Sequence, residues 1–408
     1  MKKLPAGWQM IAFGEIVEQS QYGLSSSSSP DGRIPILGMK NINDGKLVCD
    51  DVARVNVSEE ELKNYRLEAG DLLFNRTNSP DLVGKTALFS ETGDFVCASY
   101  LVRFTLRRDL VDPRFVCYWF NTDHSQRTLQ QLATKAVAQA NINPTALQKM
   151  FRLPLPSKSE QIEIADRLAC WDEAISGVKS ILAAKTEQKR GLMQQLLTGQ
   201  TRFKEFKGEK WRHCHLGDVV QAMSRPVAWD ENELYRLAIV RRWCGGVDLR
   251  ESLYGHQIKV KKLQTIRTGD FLISHIQAAY GAMALVPEEF DGAKVSELYT
   301  ILRPKDPKAF DIRILGYLGQ TKRMWYMAIQ ASNGFFAERL RLNFDPDEFL
   351  HLPVNIPPTF AEQKKIADTL EACDREIELL QKQLAALKEQ KRGLMQKLLT
   401  GEVRVKTK

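Results

Sequence analysis

Glu187-Gln188-Lys189-Arg190-Gly191-Leu192-Met193-Gln194 recurs, letter for letter, as Glu389-Gln390-Lys391-Arg392-Gly393-Leu394-Met395-Gln396. Leu196-Leu197-Thr198-Gly199 recurs as Leu398-Leu399-Thr400-Gly401, and Glu160-Gln161 with Ile164-Ala165-Asp166 recurs as Glu362-Gln363 with Ile366-Ala367-Asp368. Between Glu160–Gly199 and Glu362–Gly401, 23 of 40 positions are identical without a gap. Chance would give two or three, so the chain is a duplication. Outside these segments the repeat is faint. Trp8 ahead of Phe13-Gly14-Glu15-Ile16-Val17 resembles Trp211 ahead of Leu216-Gly217-Asp218-Val219-Val220. Leu67-Glu68-Ala69-Gly70-Asp71-Leu72-Leu73 resembles Ile266-Arg267-Thr268-Gly269-Asp270-Phe271-Leu272. Two variable blocks therefore alternate with two near-copies of one segment.

That segment carries a heptad. Ile164, Leu168, Trp171, Ile175, Val178, Leu182, Lys185, Lys189, Leu192 and Leu196 alternate spacings of four and three. The second copy has Ile366, Leu370, Cys373, Ile377, Leu380, Leu384, Leu387, Lys391, Leu394 and Leu398 in the same register. A pattern this sustained predicts a coiled-coil seam. Each helix is expected to run roughly 50 Å at about 1.5 Å per residue, between Pro156 and Gly199 in the first copy and ending at Gly401 in the second. A duplicated unit related by a two-fold axis favours an antiparallel pair, and the sequence leaves a parallel one open.

The variable blocks alternate short apolar runs, such as Asp71-Leu72-Leu73-Phe74 and Phe95-Val96-Cys97-Ala98-Ser99-Tyr100-Leu101-Val102, with Gly, Asn, Asp and Pro clusters. These read as strands and turns. Stretches near Arg114–Leu132 and Arg313–Met327 read as helices, and Ser25–Ser29 as a flexible surface loop. The expected fold class is α+β. Two mixed domains, 1–155 and 201–355, are separated by helical segments 156–200 and 356–408, the latter with a basic tail, in a pseudo-two-fold internal repeat.

Of 408 residues, 43% are hydrophobic and 26% charged, as in a globular protein. No apolar run is long enough for a membrane helix. Met1-Lys2-Lys3-Leu4-Pro5 lacks the apolar stretch of a secretory signal, so the expected location is the cytoplasm. Seven scattered cysteines without a CxxC pair read as reduced thiols. The net charge of +8 and pI near 9.0 suit a polyanionic partner.

A search for chemistry finds no catalytic site. Gly84-Lys85-Thr86 lacks the glycine that a phosphate loop needs, since Ser79 stands five positions before Gly84. Pro80-Asp81 with Lys85 lacks the second carboxylate of a metal-dependent nuclease, its place being Val83. Asn78-Ser79-Pro80-Asp81 ends without the ring that holds a flipped base. His213 and His215 on a strand point to opposite faces, and six scattered histidines give no nucleophile–base set. No metal and no cofactor are expected.

The layout resembles the specificity (S) subunit of type I restriction-modification enzymes over essentially the whole chain. The elements that carry the resemblance are Glu160-Gln161 with Ile164-Ala165, the stretch Leu67–Thr77, Ala140-Asn141-Ile142-Asn143 ahead of Leu153-Pro154-Leu155-Pro156, and Leu196-Leu197-Thr198-Gly199. The second copy departs from the pattern, with Ser274-His275 in place of Asn75-Arg76. The resemblance implies a subunit without its own catalysis, in which each variable block is a target recognition domain for one half of a split, asymmetric double-stranded DNA site. The helices would set the gap and dock two adenine methyltransferase (M) subunits, through which restriction (R) subunits join. Half-sites one duplex turn apart, about 34 Å, match the scale of such a spacer. Two other readings remain: a related system whose partner fuses methylation and cleavage, and a coiled-coil adaptor that binds proteins instead of DNA.

Polar and cationic loop residues are the candidate DNA contacts. In the first domain they are Asn75, Arg76, Thr77, Asn78 and Lys85, with Ser25–Ser29 if that loop enters a groove. In the second they are Arg241, Arg242, His275, Gln277, Asn333, Arg339 and Arg341. Trp243 is expected to be a half-buried strand tryptophan, with contact to a base or sugar as the alternative. Glycine inside a helix costs roughly 1 kcal/mol relative to alanine, and lysine breaks the seam at the same place in both copies. Lys189, Arg190, Gly191, Lys391, Arg392 and Gly393 are therefore the expected partner-binding residues, at a point where the seam opens.

Overall fold

The structure, a computed structural model, describes residues 4–135, 139–333 and 343–406. The two heptad segments are the long helices Lys158–Leu196 and Phe360–Leu399. By its contacts the chain divides into two compact units, residues 1–180 with 382–408, and residues 181–381. The division runs through both long helices and not at their ends. Each unit thus combines one variable block with part of each helix.

All ten seam positions of either helix are buried or partly buried, the outcome expected of an a/d stripe facing a partner. In the first unit Ile164 and Leu168 join a core with Met395, Leu398 and Leu399. In the second, Leu196 and Leu197 join Ile366, Ala367 and Leu370. Lys185 pairs with Glu376 at 2.7 Å and Lys189 with Asp374 at 2.5 Å. One number rises as the other falls, so the helices run antiparallel.

The two variable blocks share a topology. In the first, Gln9–Ala12 pairs antiparallel with Arg152–Leu155, and a four-stranded sheet runs in the order Val17–Tyr22, Leu101–Leu106, Leu72–Asn75, Thr86–Leu88. In the second, Arg212–His215 pairs with Pro353–Ile356, and the sheet order is Val220–Met223, Tyr299–Pro304, Phe271–Ser274, Met283–Leu285. Phe13 packs edge-on against Phe104 and Phe120, with centroids 5.0 and 4.9 Å apart. Such pairs add about 0.5–1.5 kcal/mol each beyond their buried area. A second sheet differs between the blocks, with three strands in one and four in the other.

Each stretch expected as one helix is a pair. Pro113–Phe120 gives way to Asp123–Leu132, and Ile312–Leu318 to Lys322–Gln330. The break falls where Thr122 and Thr321 become N-caps, their hydroxyls accepting from the Ser125 and Met324 N–H groups. The preceding helix of each pair is tied to a long helix in the same way in both units. The Gln161 carbonyl oxygen accepts from the Asp112 N–H at 2.9 Å, and its amide donates to the Pro156 carbonyl. Gln363 does the same for Asp311 and Pro357, again at 2.9 Å from the Asp311 N–H. Glu160 accepts from the Trp8 indole and pairs with Arg404, while Glu362 pairs with Arg202. The duplicated Glu-Gln dipeptide is an anchor: buried, fully bonded and therefore costly to replace.

Candidate nucleic-acid interface

In each block the strand Leu72–Asn75 or Phe271–Ser274 runs into a loop that returns to the neighbouring strand. The Asn75 N–H donates to the Lys85 carbonyl and the Gly84 N–H to the Asn75 carbonyl, closing the loop Arg76–Lys85. The Ser274 N–H donates to the Ala282 carbonyl and closes the second. Both loops end on a glycine with positive φ, Gly84 at +88° and Gly281 at +67°. A Cβ on Gly84 would lie 3.1 Å from the Leu129 side chain, and one on Gly281 would lie 2.6 Å from the Trp325 ring. Only glycine meets both demands. A short hairpin flanks each loop: Thr134–Lys135 with Ala140–Asn141, and Ser332–Asn333 with Asn343–Phe344. The Ile142 N–H donates to the Arg76 carbonyl, and the Phe344 N–H to the His275 carbonyl.

The structure brings Arg76, Thr77, Asn78 and Lys85 together on the first loop. The Arg76 guanidinium lies 5.0 Å over the half-exposed Tyr22 ring, and the Thr77 hydroxyl accepts from the Asn141 amide at 3.1 Å. Thr77 is itself buried, at 6% exposure, which departs from the expectation of a surface contact, and Asn78 and Lys85 are half-buried. Asn75 departs from the expectation of a surface contact, being fully buried with neither amide atom hydrogen-bonded. The reason is that every residue of its strand is covered on both faces. Ser25–Ser28 are exposed and irregular, and the Ser29 N–H is tied to the Arg54 carbonyl.

In the second unit His275 and Gln277 share the equivalent loop. The His275 imidazole bonds the Thr300 hydroxyl at 2.7 Å, and burial lowers its pKa, so it is neutral at pH 7. Arg241 is paired with Asp248, whose carboxyl that contact holds below its ordinary value. Arg242 lies 5.1 Å over the Tyr280 ring. Asn333 is described by its backbone alone, and Arg339 and Arg341 lie outside the described residues.

Trp243 is not a half-buried strand residue. It is 63% exposed on a tight turn, with φ of +58° there and +56° at Cys244. Left-handed backbone costs a side-chain-bearing residue roughly 1–2 kcal/mol. Two hydrogen bonds hold it: the Trp243 N–H to the Tyr280 carbonyl at 2.8 Å, and the Cys244 N–H to the Gly281 carbonyl. Sequence reading missed Tyr22, Tyr280 and Trp325 altogether. Tyr280 was findable, since it sits in the same loop as Gln277, where an aromatic ring offers a base a stacking face.

The seam lysines are also corrected. Lys391 contacts both Asp172 oxygens at 2.9 Å and lies 5.1 Å over the Tyr118 ring, while the Tyr118 hydroxyl donates to Asp172 at 2.8 Å. Lys189, Asp374 and Tyr317 repeat the arrangement. Burial raises the pKa of both tyrosines, with the adjacent carboxylate adding to it. The seam does not open at these lysines; it closes on ion pairs. Gly191 and Gly393 are exposed, with open space around a would-be Cβ. Arg190 and Arg392 are exposed beside them, pairing with Glu187 and Asp123. Beside each pair lies a groove, about 710 Å³ against Met193, Gln194 and Trp325 in the second unit. Its counterpart in the first unit is about 450 Å³, against Met395, Gln396 and His124.

The type I restriction-modification DNA specificity domain matches twice, over residues 5–184 and 208–389. The chain belongs to this family, as a specificity subunit with two target recognition domains. It is 25% identical over 99% of its length to the putative type I restriction enzyme MjaX specificity subunit of Methanocaldococcus jannaschii, covering 96% of that protein. It is 27% identical over half its length to the EcoKI specificity subunit of Escherichia coli, covering 44% of that protein. Its fold is similar to the type I S subunit of M. genitalium, with a TM-score of 0.61 at 14% identity, covering 98% of this chain and 97% of that one. A chain from a structure of type I complex assembly and conformational transition gives 0.54 at 16% identity, with 99% and 100% covered.

Proposed function

We propose that each unit reads one half of a bipartite, asymmetric DNA site through the loop that follows its central strand. The observation that carries this is an equivalent closed loop, built twice at the same place on the same frame, with different side chains: Arg76, Thr77 and Asn78 in one, His275 and Gln277 in the other. A constant frame with exchanged loop residues is what two different half-sites require, because phosphate contacts position while base contacts specify. Arg76, Thr77, Asn78 and Lys85 act in the first unit. Arg242 and Gln277 act in the second, with Arg241, Asn333, Arg339 and Arg341 as further contacts.

The chain supplies recognition and spacing; its partners supply chemistry. The paired helices set the gap between half-sites. Arg190 with Gly191, and Arg392 with Gly393, each bordering a groove with one duplicated wall, receive two methyltransferase subunits. Restriction subunits join through those, in the cytoplasm where the DNA lies. Among the described residues no helix is long and apolar enough to cross a membrane. The deciding experiment maps methylated adenines in host DNA with and without this gene. A bipartite motif that vanishes with the gene is the expected result, and an unchanged methylome refutes the reading.

A further inference from the structure

Trp243 has no role in the core, yet the fold goes to some length to present it. Its turn, Arg241–Gly246, runs through left-handed backbone at Trp243, Cys244 and Gly246. The turn is pinned to the tail of the second recognition loop through the Tyr280 and Gly281 carbonyls. The Trp243 ring meets Tyr280 edge-on at 5.8 Å and Trp325 at 5.6 Å, and keeps its outer face free. Trp325 is itself fixed, its indole donating to the Gly319 carbonyl at 3.0 Å. An aromatic held between two neighbouring rings on a hydrogen-bonded turn loses little entropy when a flat ring stacks on it.

The charge around it selects the partner. The three segments that build the cluster, residues 241–246, 275–283 and 321–330, contain Arg241, Arg242, Lys322 and Arg323 and no Asp or Glu. Arg241 carries Asp248 as its ion-pair partner. Arg242 lies with its guanidinium over Tyr280, leaving its outward N–H groups for an anion. Rings interleaved with cations, with Asp248 the carboxylate already neutralised by Arg241, suit a chain of phosphates bearing flat bases. A protein partner would be expected to find acceptors here as well as donors.

We propose that Trp243 wedges into a base step of the half-site read by the second unit, its face on one base and the neighbouring base unstacked, with Arg242 on the adjacent phosphate. This rests on the reading of the chain as a DNA recognition subunit. The test uses the chain assembled with its methyltransferase subunit and duplexes carrying 2-aminopurine at successive positions of the second half-site. Wild type should raise the fluorescence at one step. Trp243→Ala should abolish that rise and weaken cognate binding about 5- to 150-fold, the equivalent of ~1–3 kcal/mol per stacked base, with the salt dependence unchanged. Trp243→Phe should restore part of both. Arg242→Gln should instead lower the slope of log affinity against log salt by about 0.9, one phosphate contact. Equal affinity and equal fluorescence for Trp243→Ala in a normally melting protein would overturn the proposal. So would weakened assembly with the methyltransferase subunit at undiminished DNA affinity, which would assign the turn to a protein interface. A wild-type complex that fails to bind its mapped site would sink the recognition reading itself, a separate outcome visible before any variant is made.

Discussion

Lys391→Met tests whether the seam lysine is a structural ion pair or a contact held for a partner. In the first unit Lys391 and Asp172 are each 15% exposed, with the ammonium 2.9 Å from both carboxylate oxygens. Exposed pairs contribute about 0–1 kcal/mol, whereas removing one partner of a fully buried pair costs about 3–5 kcal/mol. This pair lies between the limits. After the substitution Asp172 keeps the Tyr118 hydroxyl at 2.8 Å and the half-exposed Lys46 at 3.1 Å, which places the loss near 2 kcal/mol. For a folding unit of about 200 residues, each kcal/mol moves Tm by about 2–4 °C, so a drop of roughly 4–8 °C is expected. Replacing the pair together, as in Asp172→Leu with Lys391→Met, should recover at least half of it, since an apolar pair removes the stranded charge.

The same pair makes an acid-side prediction. Burial acts to raise the Asp172 carboxyl, but the Lys391 hydrogen bonds and charge, the Tyr118 hydroxyl and Lys46 outweigh it and hold the group below its ordinary value. A depressed folded pKa stabilises the protein above the unfolded value near 4, and that stabilisation is lost as pH falls through the lower folded value. Lys391→Met removes the principal cation, so this contribution is already missing at pH 7, and the Tm gap to wild type should narrow as pH falls below about 4. Thermal melts from pH 7 to pH 3 read both effects. An unchanged Tm with an unchanged acid profile would refute the ion-pair account, and weakened assembly alone would return Lys391 to the partner surface. Lys189→Met should cost less, because Asp374 is 41% exposed and already shares its surroundings with water.

Replacing Gly191 and Gly393 by leucine meets open space in the isolated chain and should leave Tm equal or higher; co-purification with the methyltransferase subunit should fall, and unchanged co-purification refutes a close approach there. Exchanging residues 1–155 for another family member's first block should change one half of the methylated motif, and a change in both halves would mean the units do not read independently. Four residues inserted between Ala184 and Lys185 lengthen the first helix by roughly 6 Å, one to two base pairs of duplex at about 3.4 Å each. The methylated motif should keep its half-sites with a longer gap and somewhat weaker binding, because the insertion disturbs the heptad; an unchanged gap refutes the ruler.

The long helices were legible because a seam is a local, periodic signal: every position in the four-and-three pattern is shielded. The lysines in that seam read as anomalies, and the spacing gives no sign of the ion pairs they make. What stabilises Lys391 is Asp172 on the other helix with a tyrosine of the variable block, and no spacing rule pairs residues so far apart in the chain. Asn75 was misread for a different reason. A polar residue at the end of an apolar run suggests an outward face, but the strand is covered on both sides. Trp243 reads as a strand residue from its apolar flank, although Gly245-Gly246 follows it as a turn signal. The left-handed backbone two positions earlier has no signature in Trp or Cys, because tertiary hydrogen bonds impose it.

Those same bonds explain how one frame carries two specificities. Gln161 holds the Asp112 N–H and Gln363 the Asp311 N–H at the same 2.9 Å. Arg114 and Arg313 each grip that N-capping aspartate and reach to a carboxylate on the long helix, Asp166 in one unit and Asp368 with Glu371 in the other. These contacts join a variable block to its helices through residues that recur, and they involve none of the residues on the recognition loops. The loops hang instead from backbone hydrogen bonds and one left-handed glycine, which tolerate almost any side chain between them. Substitution on a loop therefore costs the fold little, whereas substitution at Gln161 or Gln363 leaves buried donors and acceptors unpaired. Divergence between the two halves of a duplicated chain has to accumulate where the backbone carries the structure and be excluded where side chains do. That is the pattern here: identical Glu-Gln anchors beneath loops with Arg76 in one copy and His275 in the other.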